Sequence, residues 1–305
     1  MDVRKHQRWR IFLRNEINIW HTALEDINKR IVHRKYEFMD TLDYTNLFFF
    51  DDRKLGIQIY WKELLQRLHL ASVTTLMRNF KWIRGIKFGV ESNNFIIFAS
   101  SLRGYFEAFA DSFYSTNYKF IDIADNFFNI SKALKGILDR PLLSNEFEES
   151  LIHFYSASKN ANSETYNVEW LDPLTTRKYL NGFHLPGSEL KHELYSELCE
   201  IVHPAASSVK CFTKEEDNVK FNTIQTVPGR DNELIDEILE KYNKLLRLIL
   251  KVSNTIPVVN LKTLNFFDEP YINASYIEDS IINNLAVDPE GWQIIIDKIR
   301  ANNSR

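Results

Sequence analysis

The chain has 305 residues, 44% of them apolar and 26% charged, with a net charge of −3, a composition ordinary for a soluble globular protein able to bury a substantial core. Nine Gly and eight Pro are few for this length, which disfavours a turn-rich all-β fold and favours long helices. Cys199 and Cys211 make neither a disulfide framework nor a zinc spacing, the charged N-terminus lacks a signal peptide's apolar stretch, and no apolar run approaches the ~20 residues that span a bilayer; a cytoplasmic protein with no membrane partner is expected.

Residues 2–40 read as one long amphipathic helix or two joined helices. Trp9, Phe12, Leu13, Ile17, Trp20, Leu24, Ile27 and Ile31 step at three and four, and Arg4, Lys5, Arg8, Arg10 and Arg14 cover the opposite face. A basic amphipathic helix suits a membrane surface, nucleic acid, or the wet side of a packed bundle. Residues 40–54 form a connector whose Leu47-Phe48-Phe49-Phe50 run is expected to plug into the core. A helix over about 55–83 follows, carrying Lys62, Arg67, Arg78, Lys81, Arg84 and, just beyond, Lys87, interleaved with Trp61, Trp82 and Phe88. Charge for phosphate and rings for bases are what single-stranded nucleic acid needs, although any amphipathic helix combines the two.

Ser92 or Asn93 is the expected N-cap of a helix over 95–116. Further helices are expected over 118–138 and 145–156. The periodicity lapses in 157–187, which reads as an ordered flap. The next helix runs from about 188 to His203, where Pro204 stops it. Residues 208–227 carry the β pattern, two strand-like runs around a polar turn, and so predict a hairpin. A helix over 232–253, with Glu240 and Lys244 paired on its surface, leads to a connector over 257–270 and helices over 274–285 and 289–300. The expected fold is mainly α: a basic helical segment (1–52), a bundle-like core domain (53–256) with the flap and a small hairpin at about 208–227, and a C-terminal helical appendage (257–305).

Charge is unevenly placed. Residues 53–87 hold eight Lys and Arg against one acidic residue, Glu63, whereas 268–290 hold six acidic residues and no Lys or Arg. Such asymmetry marks an anion-binding face, two faces that meet a partner or each other, or a solvated surface.

Two helices carry candidate chemistry. In one, the apolar row Leu190, Leu194, Leu198, Ile201 and Val202 runs into His203, placed where the negative end of the helix dipole supports a protonated ring. His203 is a candidate general acid/base or phosphate donor, or else a structural histidine bonded to a carbonyl or to Glu200. Tyr195 and Glu200 are candidates to orient its ring. In the other helix, Arg103 and Glu107 sit one turn apart among Phe98, Leu102, Phe106, Phe109 and Phe113. They form either an anion clamp with its orienting carboxylate or a brace of the fold. There is no glycine-rich phosphate loop, dinucleotide fingerprint or nucleophile elbow, and His184 and His192 lack a third ligand, so neither metal nor cofactor is expected.

An Arg-x-x-x-Glu helix followed far downstream by Tyr-x-x-Leu-x-x-x-Val-His-Pro resembles a group of poorly characterised bacterial helical proteins, similar in turn to the HEPN superfamily. The resemblance covers roughly residues 90–255 and falls on Arg103, Glu107, Tyr195, Leu198, Val202, His203 and Pro204. Members of that superfamily often serve as ribonucleases or companion subunits in toxin–antitoxin, abortive-infection and antiphage systems. Catalytic members carry Arg-x(4–6)-His on a single helix, and the His203 helix contains no Arg. Arg14 and His21, with Asn15 after the Arg, match that spacing on one helix face and are secondary catalytic candidates; Arg177 and His184 match it across Gly182. The resemblance implies metal-independent RNA cleavage, with Arg103 and His203 on the phosphate, Glu107 orienting Arg103, and the 53–87 face holding the strand. It implies RNA ahead of DNA as partner, and a homodimer is among the expected assemblies. The alternatives are a non-catalytic helical subunit that binds a protein partner encoded nearby, and a sensor of a nucleotide or small anion.

Overall fold

The computed structural model describes residues 3–31, 33–138, 140–157, 174–204, 206–217 and 222–303. The side chains of residues 3–12 lie outside that description, and with them the expected basic face at Arg4, Lys5, Arg8 and Arg10; so do residues 158–173, most of the expected flap.

The chain is mainly α with one antiparallel hairpin. Its helices are α1 (Val3–Arg30), α2 (Thr41–Asn46), α3 (Arg53–Glu91), α4 (Phe95–Thr116), α5 (Lys119–Leu134), α6 (Asn145–Ser156), α7 (Thr176–Asn181), α8 (Lys191–Val202) and α9 (Ala206–Lys210). After the hairpin of β1 (Thr213–Asp217) and β2 (Asn222–Thr226) come α10 (Asp231–Lys241), α11 (Asn243–Leu264), α12 (Ile281–Ala286) and α13 (Pro289–Asn303).

Several boundaries differ from the periodicity. The hairpin starts at Thr213, because the preceding apolar residues belong to the short helix α9. The cap of α4 is Asn94, whose Oδ1 accepts the Ile97 N–H at 3.0 Å; Asn93 instead adopts a left-handed φ of 52° in the turn. Residues 47–51 form a π turn in which Phe48 alone is buried, while Phe49 and Phe50 are 64% and 79% exposed. Three consecutive rings point in different directions around any helix, so one core cannot take all of them. Pro257, the expected start of a connector, lies inside α11. Proline costs a helix interior about 3 kcal/mol, and here it is offset by burial of Ile256, Val258, Val259, Leu261 and Leu264 on both sides. Conversely, the helix expected over 274–285 is reduced to 3₁₀ turns at Pro270–Ile272 and Ser275–Ile277 and the short α12.

The helices sort into two compact units. The first comprises Met1–Glu25, Arg78–Ala110 and Thr176–Val252. Its core is the apolar stripe of α1 (Leu13, Ile17, Trp20, Leu24), the aromatic face of α4 (Phe98, Tyr105, Phe106, Phe109), and the inward rows of α8, α10 and α11. Glycines let α3 and α4 approach closely. A Cβ on Gly89 would stand 2.6 Å from the backbone nitrogen of Phe98, and one on Gly104 would stand 2.5 Å from the Trp82 ring. A methyl at position 89 therefore has to push backbone, not a pliable side-chain end. Gly89→Ala is expected to cost about 1–3 kcal/mol, seen as a lower urea midpoint with an unchanged slope; an unaltered midpoint would refute the close packing. Past residues 158–173, Phe183 stands edge-on to Phe109 with centroids 4.8 Å apart. The Phe183 carbonyl also accepts from the buried Lys191 ammonium, which ties the entry of α8 to the α4 face.

The second unit comprises Asp26–Met77, Asp111–Thr175 and Ser253–Arg305. Its core joins Trp61, Leu64, Leu65 and Leu68 of α3 to Ile123, Phe127 and Ile130 of α5, Phe147 and Leu151 of α6, and Ile295 and Ile299 of α13. The helix expected to continue to residue 40 ends at Arg30, and residues 33–40 form a segment outside helix and strand. Side chains of α3 satisfy its backbone, Gln66 and Glu63 accepting the N–H groups of Glu37 and Met39. In the acidic 268–290 stretch, Glu278 pairs with the buried Lys262 and Asp288 caps α13 through the Gly291 N–H.

Candidate functional site

The first unit brings four of the sequence-derived site residues together. On α4, Arg103 and Glu107 are one turn apart, and Arg103 Nε donates to Glu107 Oε1 at 3.0 Å. On α8, Tyr195 points at the same oxygen, its hydroxyl donating at 3.0 Å. His203 caps the C-terminal end of α8 with extended φ and ψ, its N–H still bonded to the Cys199 carbonyl at 2.9 Å. Pro204 holds it there by disfavouring helical backbone at the residue before it. Its ring nitrogen Nε2 lies 3.1 Å from Arg103 Nη1.

The chemistry of that last contact is constrained. A guanidinium has donors only, so the nitrogen facing it must be an acceptor. The bond therefore forms only with the His203 tautomer that leaves Nε2 unprotonated. A second proton on Nε2 would set two cations against each other.

Burial works against charge on Arg103, but Glu107, then Cys199 and Tyr195, outweigh it and hold the guanidinium above its ordinary pKa. Burial, with the Cys199 thiol and the Glu107 charge, pushes the Tyr195 hydroxyl up against the opposing hydrogen bond of Thr176. Tyr195 thus keeps its proton at neutral pH and stays a donor. Arg103 and Glu107 are 20% and 35% exposed, and His203 is open to solvent. The cluster is a pre-set cation with an adjoining proton acceptor, both reachable from outside, suited to an anion that also carries an acidic proton. Cys199 is the residue missed in the sequence. Tyr195, Cys199 and His203 are four apart and lie on one face of α8, a spacing that was there to be read.

The remaining candidates take other positions. Glu200 accepts from Ser207 Oγ at 3.0 Å and lines the groove of α8, α9 and α10, so it serves α9. Arg14 Nη2 reaches Asp236 Oδ1 and Asn232 Oδ1 of α10, each at 3.4 Å, whereas His21 packs on Phe80 of α3 with ring centroids 5.6 Å apart. Burial, Lys87 and Arg84 lower the His21 pKa. Arg14 and His21 thus face different helices.

The basic residues of α3 divide between the units. In the second, Lys62 lies over the Tyr271 ring, and Arg67 pairs with Glu63 at 3.7 Å and lies over the Phe38 ring. In the first, Arg78, Lys81, Arg84 and Lys87 follow one another at every third residue, forming a ridge beside the exposed Trp82 and Phe88. Lys87 pairs there with Glu91 at 3.6 Å. Among the described residues no three His, Cys, Asp or Glu side chains are grouped to hold a metal ion, and no helix is long and apolar enough to cross a membrane. No protein-family model matches this chain, and neither a curated protein nor a solved structure matches it.

Proposed function

We propose that the first unit binds RNA and cleaves it without a metal ion, with Arg103 and His203 as the acting pair, as the HEPN-like resemblance implies. The observation that carries this reading is the 3.1 Å contact between Arg103 Nη1 and His203 Nε2, made by residues a hundred positions apart. In the free protein the guanidinium caps the imidazole. A phosphodiester turns the guanidinium to its own oxygens and frees Nε2 to take the proton of the neighbouring 2′-hydroxyl. The 2′-oxygen then bonds to phosphorus, the bond to the 5′-oxygen breaks, and the departing alkoxide takes a proton from solvent. Arg103 stabilises the charge that grows on the phosphate oxygens, and Glu107 and Tyr195 position Arg103. The ridge of Arg78, Lys81, Arg84 and Lys87 supplies the phosphate contacts along the strand. Docking to a protein partner draws less support: Arg67 and Glu278 of the two charged stretches already hold partners within their own unit.

The test is incubation of wild-type protein with cellular RNA and with single-stranded DNA of matched length, in EDTA. RNA fragments ending in 2′,3′-cyclic phosphate, with DNA intact, are expected. Intact RNA, or equal cutting of DNA, which has no 2′-hydroxyl, would remove the proposed chemistry.

A further inference from the structure

His203 belongs to a second feature of the first unit that the phosphate chemistry does not use. It forms one wall of an open groove whose other walls include Ile96 of α4, Val202 of α8, Ser208 of α9, and Phe212 and Thr226 at the base of the hairpin. Among the described residues no charged side chain joins His203 in this lining, in contrast to the Arg103–Glu107 cluster that its Nε2 meets. Phe212 is 51% exposed, yet its backbone is held on both sides. Its N–H donates to the Val209 carbonyl at 3.0 Å, and its own carbonyl accepts from Val227 N–H at 2.8 Å. A half-exposed ring on a fixed mount forgoes the burial that an aromatic side chain normally gains, and it costs little ordering entropy when something stacks on it.

We infer that this groove takes the nucleobase next to the phosphate held by Arg103, with Phe212 as its stacking platform; the inference rests on the RNA reading of that site. Three features favour a base as the occupant. The lining is uncharged, which suits a flat heterocycle and not a phosphate. The Ser208 and Thr226 hydroxyls offer hydrogen bonds to a base edge. The groove shares His203 with the charged cluster, so one nucleotide reaches both. Stacking tolerates every base, so Phe212 sets affinity and position more than sequence preference.

An oligoribonucleotide with a single 2-aminopurine tests this by fluorescence in EDTA, using wild type, Phe212→Ala and Phe212→Trp. Quenching on binding to wild type is expected, with affinity about tenfold weaker and the quench lost in Phe212→Ala, and both restored in Phe212→Trp. An oligonucleotide with an abasic residue at that position should bind wild type and Phe212→Ala alike. A quench by wild type without any cleavage keeps the base site while rejecting the cleavage reading. Equal quenching and affinity in Phe212→Ala, folded by circular dichroism, would overturn the inference. So would a Phe212→Ala protein that binds RNA unchanged but runs at smaller size than wild type, which would assign the ring to self-association.

Discussion

In His203→Ala, RNA cleavage is expected to fall by about 10²–10⁴-fold, the contribution of a positioned general base, while RNA binding stays close to wild type. The two effects separate because the proposed role of His203 is the lone pair of Nε2, which takes a proton, whereas Arg103 supplies the phosphate contact. Arg103→Ala should behave differently. It removes a cation, so the slope of log affinity against log salt should shrink by about one, together with the loss of cleavage. Arg103→Lys tests the geometry, because one guanidinium reaches Glu107 through Nε and His203 through Nη1, and a single ammonium cannot reproduce that fork. It is expected to keep the salt slope and lose most of the cleavage. Paired rate assays and salt titrations decide the matter. Undiminished cleavage in His203→Ala would discard His203 as the base, whatever the binding data show.

A second large effect is expected from acid, and it lies in the other unit. His69 is 2% exposed on α3, with the Tyr36 hydroxyl 2.8 Å from Nδ1 and Arg34 Nη1 3.4 Å from Nε2. Burial, reinforced by the Arg34 charge, pushes its pKa down to about 3 from 6.5. Between those values the unfolded chain takes up a proton that the folded chain refuses. The stabilisation is therefore complete above about pH 6.5 and is lost as pH falls toward 3. From pH 7 to 5 the loss amounts to about 2 kcal/mol. Urea unfolding of wild type and His69→Gln at both pH values measures it. Glutamine does not titrate, so the stability gap between the two proteins should move by that amount in the variant's favour on acidification. A gap independent of pH would show that His69 is protonated in the folded protein or carries no such strain.

How much of this was legible beforehand differs from element to element. The helices α1, α3, α4 and α8 are written as apolar rows at steps of three and four, and a residue count of that kind survives any tertiary arrangement. Arg103 and Glu107 stood out because charges among aromatic residues on one helix must find partners, and His203 stood out because Pro204 fixes where its helix ends. Boundaries governed by burial were not legible. Pro257 reads as a helix breaker, yet its neighbours on both sides are buried and the helix continues through it. Phe49 and Phe50 read as core, yet a π turn leaves them in solvent.

The amino-acid sequence by itself determined the fold class, the apolar stripes and the residue types available for chemistry, because period and composition are local properties of the chain. Only the tertiary structure decided which of those residues meet. Arg103 found His203 a hundred positions away, while Arg14 and His21, a motif on paper, turned to different helices. Spacing along one helix specifies a shared face, but partners across helices depend on how the faces pack. For α3 and α4 the faces meet at Gly89 and Gly104, where the absence of a side chain lets α4 settle against α3.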